Sequence, residues 1–199
     1  MELQRALSDL AEVRERLAHL QRFEGYSGAA ACVSGIGALI AAVVQHKLSP
    51  LPHTPDSLRQ YLTIWLTCLA VALLLNYGAA AVWLLKHRAP GDRSRFRTAA
   101  ISIAPSIVLG GALSLALVDH SAFALLPGTW FAFYAIGLFA SRGAIPASTI
   151  GITLGFGILA LIFLVTPASA VALAWWVMPI GFGIGQLGIG YLIWRDRFS

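Results

Sequence analysis

The stretch YLTIWLTCLAVALLLNYGAAAVWLL (residues 61–85) carries no charged side chain, and KHRAPGDRSRFR (86–97) follows it at once. An apolar run longer than about 18 residues is long enough to cross the hydrocarbon of a bilayer at 1.5 Å of rise per residue. No water reaches the backbone there, so the run must pair its own amides and forms an α-helix. The basic cluster that ends it also sets direction, because cytoplasmic loops carry the excess of lysine and arginine.

Reading outward from this stretch, similar runs recur. The spans are 27–45, 60–85, 98–118, 122–140, 146–165 and 170–194. The clearest breaks are HKLSPLPHTPDS (46–57) and KHRAPGDRSRFR (86–97); Asp119-His120-Ser121 reads as a tight turn. At Thr166-Pro167-Ala168-Ser169 the break is also short, and Pro167 suits a helix start, where its missing N–H costs nothing. Composition agrees with lipid as solvent: 58% of the residues are hydrophobic and 12% charged, against about 25% charged in a soluble domain. The fold class is therefore an all-α integral membrane protein, a six-transmembrane-helix bundle preceded by an N-terminal cytoplasmic amphipathic helix. Residues 1–24 form that helix and 25–199 the membrane domain. The opening residues lack the apolar core and small-residue cleavage site of a signal peptide, so the first span is expected to stay as an anchor.

Twelve basic residues fall on one side of this topology: Arg5, Arg14, Arg16, Arg22, Lys86, Arg88, Arg93, Arg95, Arg97, Arg142, Arg195 and Arg197. Only Lys47 and Arg59 fall on the other. The expected localisation is thus the cell membrane, with N- and C-termini both cytoplasmic. The net charge of +5 belongs to this bias and not to a nucleic-acid partner. Trp65, Trp130, Trp175 and Trp176 fall near the outer interface, and Trp83 and Trp194 near the inner one, where indoles settle. Cys32 and Cys68 lie at different depths, too far apart for a disulfide, and read as packing residues.

In residues 2–24, Leu3, Ala6, Leu10, Val13, Leu17 and Leu20 follow a heptad a/d pattern. Asp9 would face Arg14 of a parallel partner, so a homo-oligomer, with a dimer favoured, is expected. The same helix lying on the inner leaflet, or packing on the protein's own loops, is the alternative.

Polar groups inside the membrane are where function is sought. No span carries a charge near its centre, which argues against a proton relay. Asn76 and Gln186 lie at matching depths in the inner half and are candidates for an amide–amide hydrogen bond. With Ser102 and Thr149, and with Ser34, Ser148 and Thr153, they outline a polar intramembrane pocket; the plainer reading is interhelical glue. Gly151 and Gly155, and Gly181 and Gly185, make two GxxxG motifs that predict close packing of spans five and six. His46 and His120 end spans one and three on the outside, near His53 and Asp119, and form the candidate haem b or metal site. HExxH, GxSxG, CxxC and Walker motifs do not occur, and no catalytic residue is assigned.

Three spans per half would permit an inverted repeat. Pro105 and Pro179 sit at similar depths from opposite faces, but their neighbours do not match at one offset. Three functions fit these residues: a non-enzymatic, self-associating membrane protein; a haem- or metal-binding redox protein using the rim histidines; and a carrier or channel for a small neutral solute.

Overall fold

A computed structural model of the protein describes residues 26–86, 92–166 and 169–196. Among these residues there is no β-strand. The main elements are α1 (Gly28–Leu48), α2 (Pro55–Lys86), α3 (Asp92–Asp119), α4 (Leu126–Ala140), α5 (Ile150–Val165), the short α6 (Ser169–Ala172) and α7 (Ile184–Asp196). The heptad segment 1–24 lies outside the described residues.

Five helices are long and apolar enough to cross a membrane: Gly28–Leu48, Pro55–Lys86, Phe96–Asp119, Phe123–Ala140 and Ala147–Val165. The expected sixth span, 170–194, is not one regular helix. After α6 the chain turns at 173–176, resumes as helix at 177, and passes through a π-helical turn, Pro179–Gly183, before α7. Proline lacks the N–H that an α-helical ladder needs, and a π-turn is one way a helix absorbs that loss.

Local chemistry sets the helix ends. Ser27 caps α1, its Oγ accepting from Ala30 N at 3.2 Å. Before α2, Thr54 and Ser57 cap one another: Ser57 N donates to Thr54 Oγ1 (3.2 Å) and Thr54 N to Ser57 Oγ (2.9 Å), with Pro55 at the first helical position. This start comes five residues before the expected span boundary at 60, because Pro-Asp-Ser reads as a loop in hydropathy and as a cap in geometry. The expected turn after α3 is present, with Ser121 at φ 57°.

The surface is inverted relative to a soluble protein. Leu74, Leu115 and Val165 are each 74% exposed, and apolar area of this extent is stable only against lipid or another apolar partner. Burial is uneven among the helices. In α1 and α4, 44% and 39% of the span is buried inside the protein, against 6% in α2 and 11% in α3. The packing explains the difference. α1 lies between α2 and the last helix (177–196), and α4 lies between α3 and α5.

Each of these pairs is antiparallel. A Cβ on Gly28 would meet Gly190 O, one on Gly35 would meet Gly183 O, and the His46 ring rests on Trp175, so α1 runs along the whole last helix. Gly137 meets Ser106 and Gly110 meets Phe133 between α4 and α3; Gly128 meets Leu164 between α4 and α5. Alternation brings Lys86, Arg93, Arg97, Arg142 and Arg195 to one end of the molecule and Lys47 and Arg59 to the other, as the charge pattern requires.

Two expectations about packing are corrected. Gly151 and Gly155 do not pack on span six: a Cβ at either, or at Gly157, would find nothing within 4 Å. It is the second motif that is filled, Gly181 by the Phe131 ring and Gly185 by the Phe156 ring. Trp65 is not an interfacial anchor; it is 3% exposed and packs in the core.

Candidate functional site

Two packed bodies meet along a seam: α1, α2 and the last helix on one side, α3, α4 and α5 on the other. The seam has three levels, set by the antiparallel register.

At the level nearer the basic end of the molecule, the two amides do not bond to one another. Asn76 Nδ2 donates to Ser34 Oγ (2.9 Å) and to Ala72 O (2.8 Å), which joins α2 to α1. Gln186 Nε2 donates to the Tyr134 hydroxyl and joins the last helix to α4 across the seam. Their common depth is as expected: Ser34 precedes Gly35, and Gly35 packs on Leu187 beside Gln186. Asn76 turns to α1 and Gln186 to α4 across the seam, and that difference in direction is why they do not meet. Tyr26 stands just ahead of α1, close to Tyr77. Burial, and then Tyr77, push its hydroxyl up to about 12, so it is neutral at physiological pH.

The other expected members of the polar pocket are not drawn into it. Ser102 Oγ donates to Thr98 O at 2.9 Å, and Thr149 Oγ1 to Pro146 O at 2.7 Å, each within its own helix or its approach. Hydroxyls in lipid can satisfy themselves on their own backbone, and amides cannot do so fully.

The middle level is aromatic. Phe131 and Tyr134 of α4, Phe156 of α5 and Phe182 of the π-turn stand with ring centroids 4.7–6.0 Å apart, within the range of favourable aromatic pairs. Gly181 and Gly185 allow this; a side chain at either would occupy the space of a ring.

At the level nearer the opposite end, that of Lys47 and Arg59, Gln45 is 0% exposed and joins three segments. Its Nε2 donates to Leu173 O (2.9 Å), and its Oε1 accepts from Trp65 Nε1 (2.8 Å). Trp130 Nε1 donates to Ser114 Oγ at 2.7 Å, which ties α4 to α3. Across the seam, the Tyr61 ring stacks on Trp130 with centroids 6.1 Å apart and planes 5° from parallel. Tyr61 is also 0% exposed, yet its hydroxyl has no hydrogen-bond partner. Sequence reasoning passed over Gln45 and Tyr61 because both sit close to span ends, where polar atoms are ordinary.

The rim histidines stand apart. His46 is tilted against Trp175 with ring centroids 4.7 Å apart. Nδ1 of His120 lies 2.9 Å from Ala116 O, on its own helix. If that nitrogen donates, Nε2 is the basic one. His53 lines a shallow outer cavity of about 240 Å³ with Leu58, Ser121, Phe123 and Leu173. Among the described residues, no group of three His, Cys, Asp or Glu side chains is placed to hold a metal ion. Cys32 and Cys68 are free thiols, and Cys32 Sγ packs where a Cβ of Gly190 would stand. No protein-family profile, curated protein or solved structure matches the chain.

Proposed function

We propose that the chain is a six-span protein of the cell membrane, with both termini in the cytoplasm, that acts through self-association and not as an enzyme. The sixth span is the helical run 177–196, its π-turn included. The observation that carries the reading is the open glycine face of α5. The glycines of the last helix are filled from within the chain, whereas Gly151 and Gly155 meet nothing. A GxxxG face left open in lipid is suited to close approach of a second helix. The heptads of residues 2–24 would add a cytoplasmic contact in the same dimer, at the raised effective concentration that membrane tethering supplies. Mass measured in lipid nanodiscs should give a dimer for the wild type and a monomer for Gly151→Leu/Gly155→Leu. A monomeric wild type overturns the reading.

A second reading is favoured by the polar contacts at both levels of the seam: a carrier for a small neutral solute. Polar side chains within spans are concentrated where solutes pass. Here they occur without a central charge, which fits a cargo that needs no ion coupling. Proteoliposomes should then take up glycerol or urea faster than empty liposomes. His46 and His120, the pair proposed for haem b or a metal, have separate contacts, and nothing in their surroundings adds support to that reading.

A further inference from the structure

The helices form two consecutive triplets, α1–α2–α3 and α4–α5–last helix. In the first, α1 packs on α2 and gives its other side to the last helix, the third member of the second triplet. In the second, α4 packs on α5 and gives its other side to α3, the third member of the first. Contact is slight between α2 and α3, and slight again between α5 and α7. Exchanging the triplets therefore maps the whole packing scheme onto itself.

Local features follow the same exchange. Among the five long spans, α1 and α4 are the two most buried. Each ends on a buried serine cap, Ser49 and Ser141. α2 and the 3-10 turn that opens α5 are each entered through Pro-x-Ser, Pro55-Asp56-Ser57 and Pro146-Ala147-Ser148. Pro105 and Pro179 occupy the third helices. Because the second helices differ in length, 32 residues in α2 and 16 in α5, no single sequence offset aligns all of these. A triplet has an odd number of spans, so its repeat must cross the membrane in the opposite sense.

On the carrier reading above, we infer that the membrane domain is an inverted repeat with exchanged third helices, and that its seam binds a small uncharged hydrogen-bonding solute at the Tyr61 hydroxyl. Inverted repeats place their solute site at the junction of the halves. Here the junction carries a fully buried hydroxyl with no partner, stacked on the facing Trp130. A hydroxyl in that state is the group a polar solute would satisfy. Every charged residue among those described stands within two turns of a helix end, so the seam offers no counter-charge to an ion. The Tyr134–Gln186 bond closes the same seam on its inner side, beyond the aromatic level.

The test uses proteoliposomes of the full chain, with glycerol and urea as probes and light scattering as readout. Tyr61→Phe keeps the ring stack and should lower the flux at least tenfold while thermal unfolding shows no loss of stability. In a background with Cys32 and Cys68 replaced, Tyr134→Cys/Gln186→Cys bridged by a short bis-methanethiosulfonate should stop flux, and reduction should restore it. Wild-type flux that neither change alters overturns the seam and leaves the carrier reading standing. Flux no faster than that of empty liposomes overturns the carrier reading itself.

Discussion

At the scale of the residue, two glycines in apolar helices, Gly190 and Gly151, have opposite surroundings. A Cβ on Gly190 would meet Gly28 O at 2.7 Å and Cys32 N at 3.0 Å. Both are backbone atoms, so the helices would have to separate. Gly190→Ala should therefore cost about 1–3 kcal/mol, the range for overpacking a tight site. Within one copy of the chain Gly151→Ala meets open space, so at a dilution where the protein is monomeric it should be neutral, or stabilising by up to about 1 kcal/mol from helix propensity. Unfolding in mixed detergent micelles, read by circular dichroism, checks both; equal effects would mean that the α1 contact is looser than it stands here. This contrast was not legible in the sequence. In lipid both the outside and the inside of a bundle are apolar, so a GxxxG motif announces that it can pack but not which of its neighbours it meets.

At the scale of the element, the depth of a polar residue was legible and its partner was not. Counting along two spans of the same direction put Asn76 and Gln186 at one height; Asn76 bonds Ser34 of α1, and Leu187, next to Gln186, packs on the adjacent Gly35. Rotation about the helix axis decides whether two amides meet, and the weak amphipathicity of a span leaves rotation undetermined by hydropathy. Gln45 shows what such a group does when its partners are in place. It holds α1 to α2 through Trp65 and to the chain before the last helix through Leu173 O. Gln45→Leu leaves both the Trp65 N–H and that carbonyl buried without partners and should cost about 2–4 kcal/mol, since each unsatisfied group costs about 1–3 kcal/mol. Trp65→Phe removes one of the bonds only and should cost less in the same unfolding assay. A Gln45→Leu protein as stable as wild type would mean that other groups satisfy the two partners.

At the scale of the whole molecule, length, hydropathy and charge carried the reading furthest. Five spans and their alternation follow from apolar runs that no soluble fold could cover. The expected span 170–194 is not one regular helix, because Pro179 and its glycines break it there. On the proposed topology, the basic residues set which way the bundle sits. In a cysteine-free background, a single cysteine replacing His53 should react with a membrane-impermeant maleimide in intact cells. One replacing Arg142 should react only after the membrane is opened. The reverse pattern would invert the topology and every assignment of inner and outer made from it.

The pairing of α1 with the last helix also sets a schedule for synthesis. α1 finds its most extensively packed partner only when residues 177–196, made about 130 residues later, leave the ribosome. Until then Gly28 and Gly35 wait in lipid without Gly190 and Gly183 against them. A chain stopped short of residue 177 therefore loses more than a tail. It leaves the most buried of the five long spans half-wrapped, and membrane quality control would meet that uncovered glycine face as the mark of an unfinished protein.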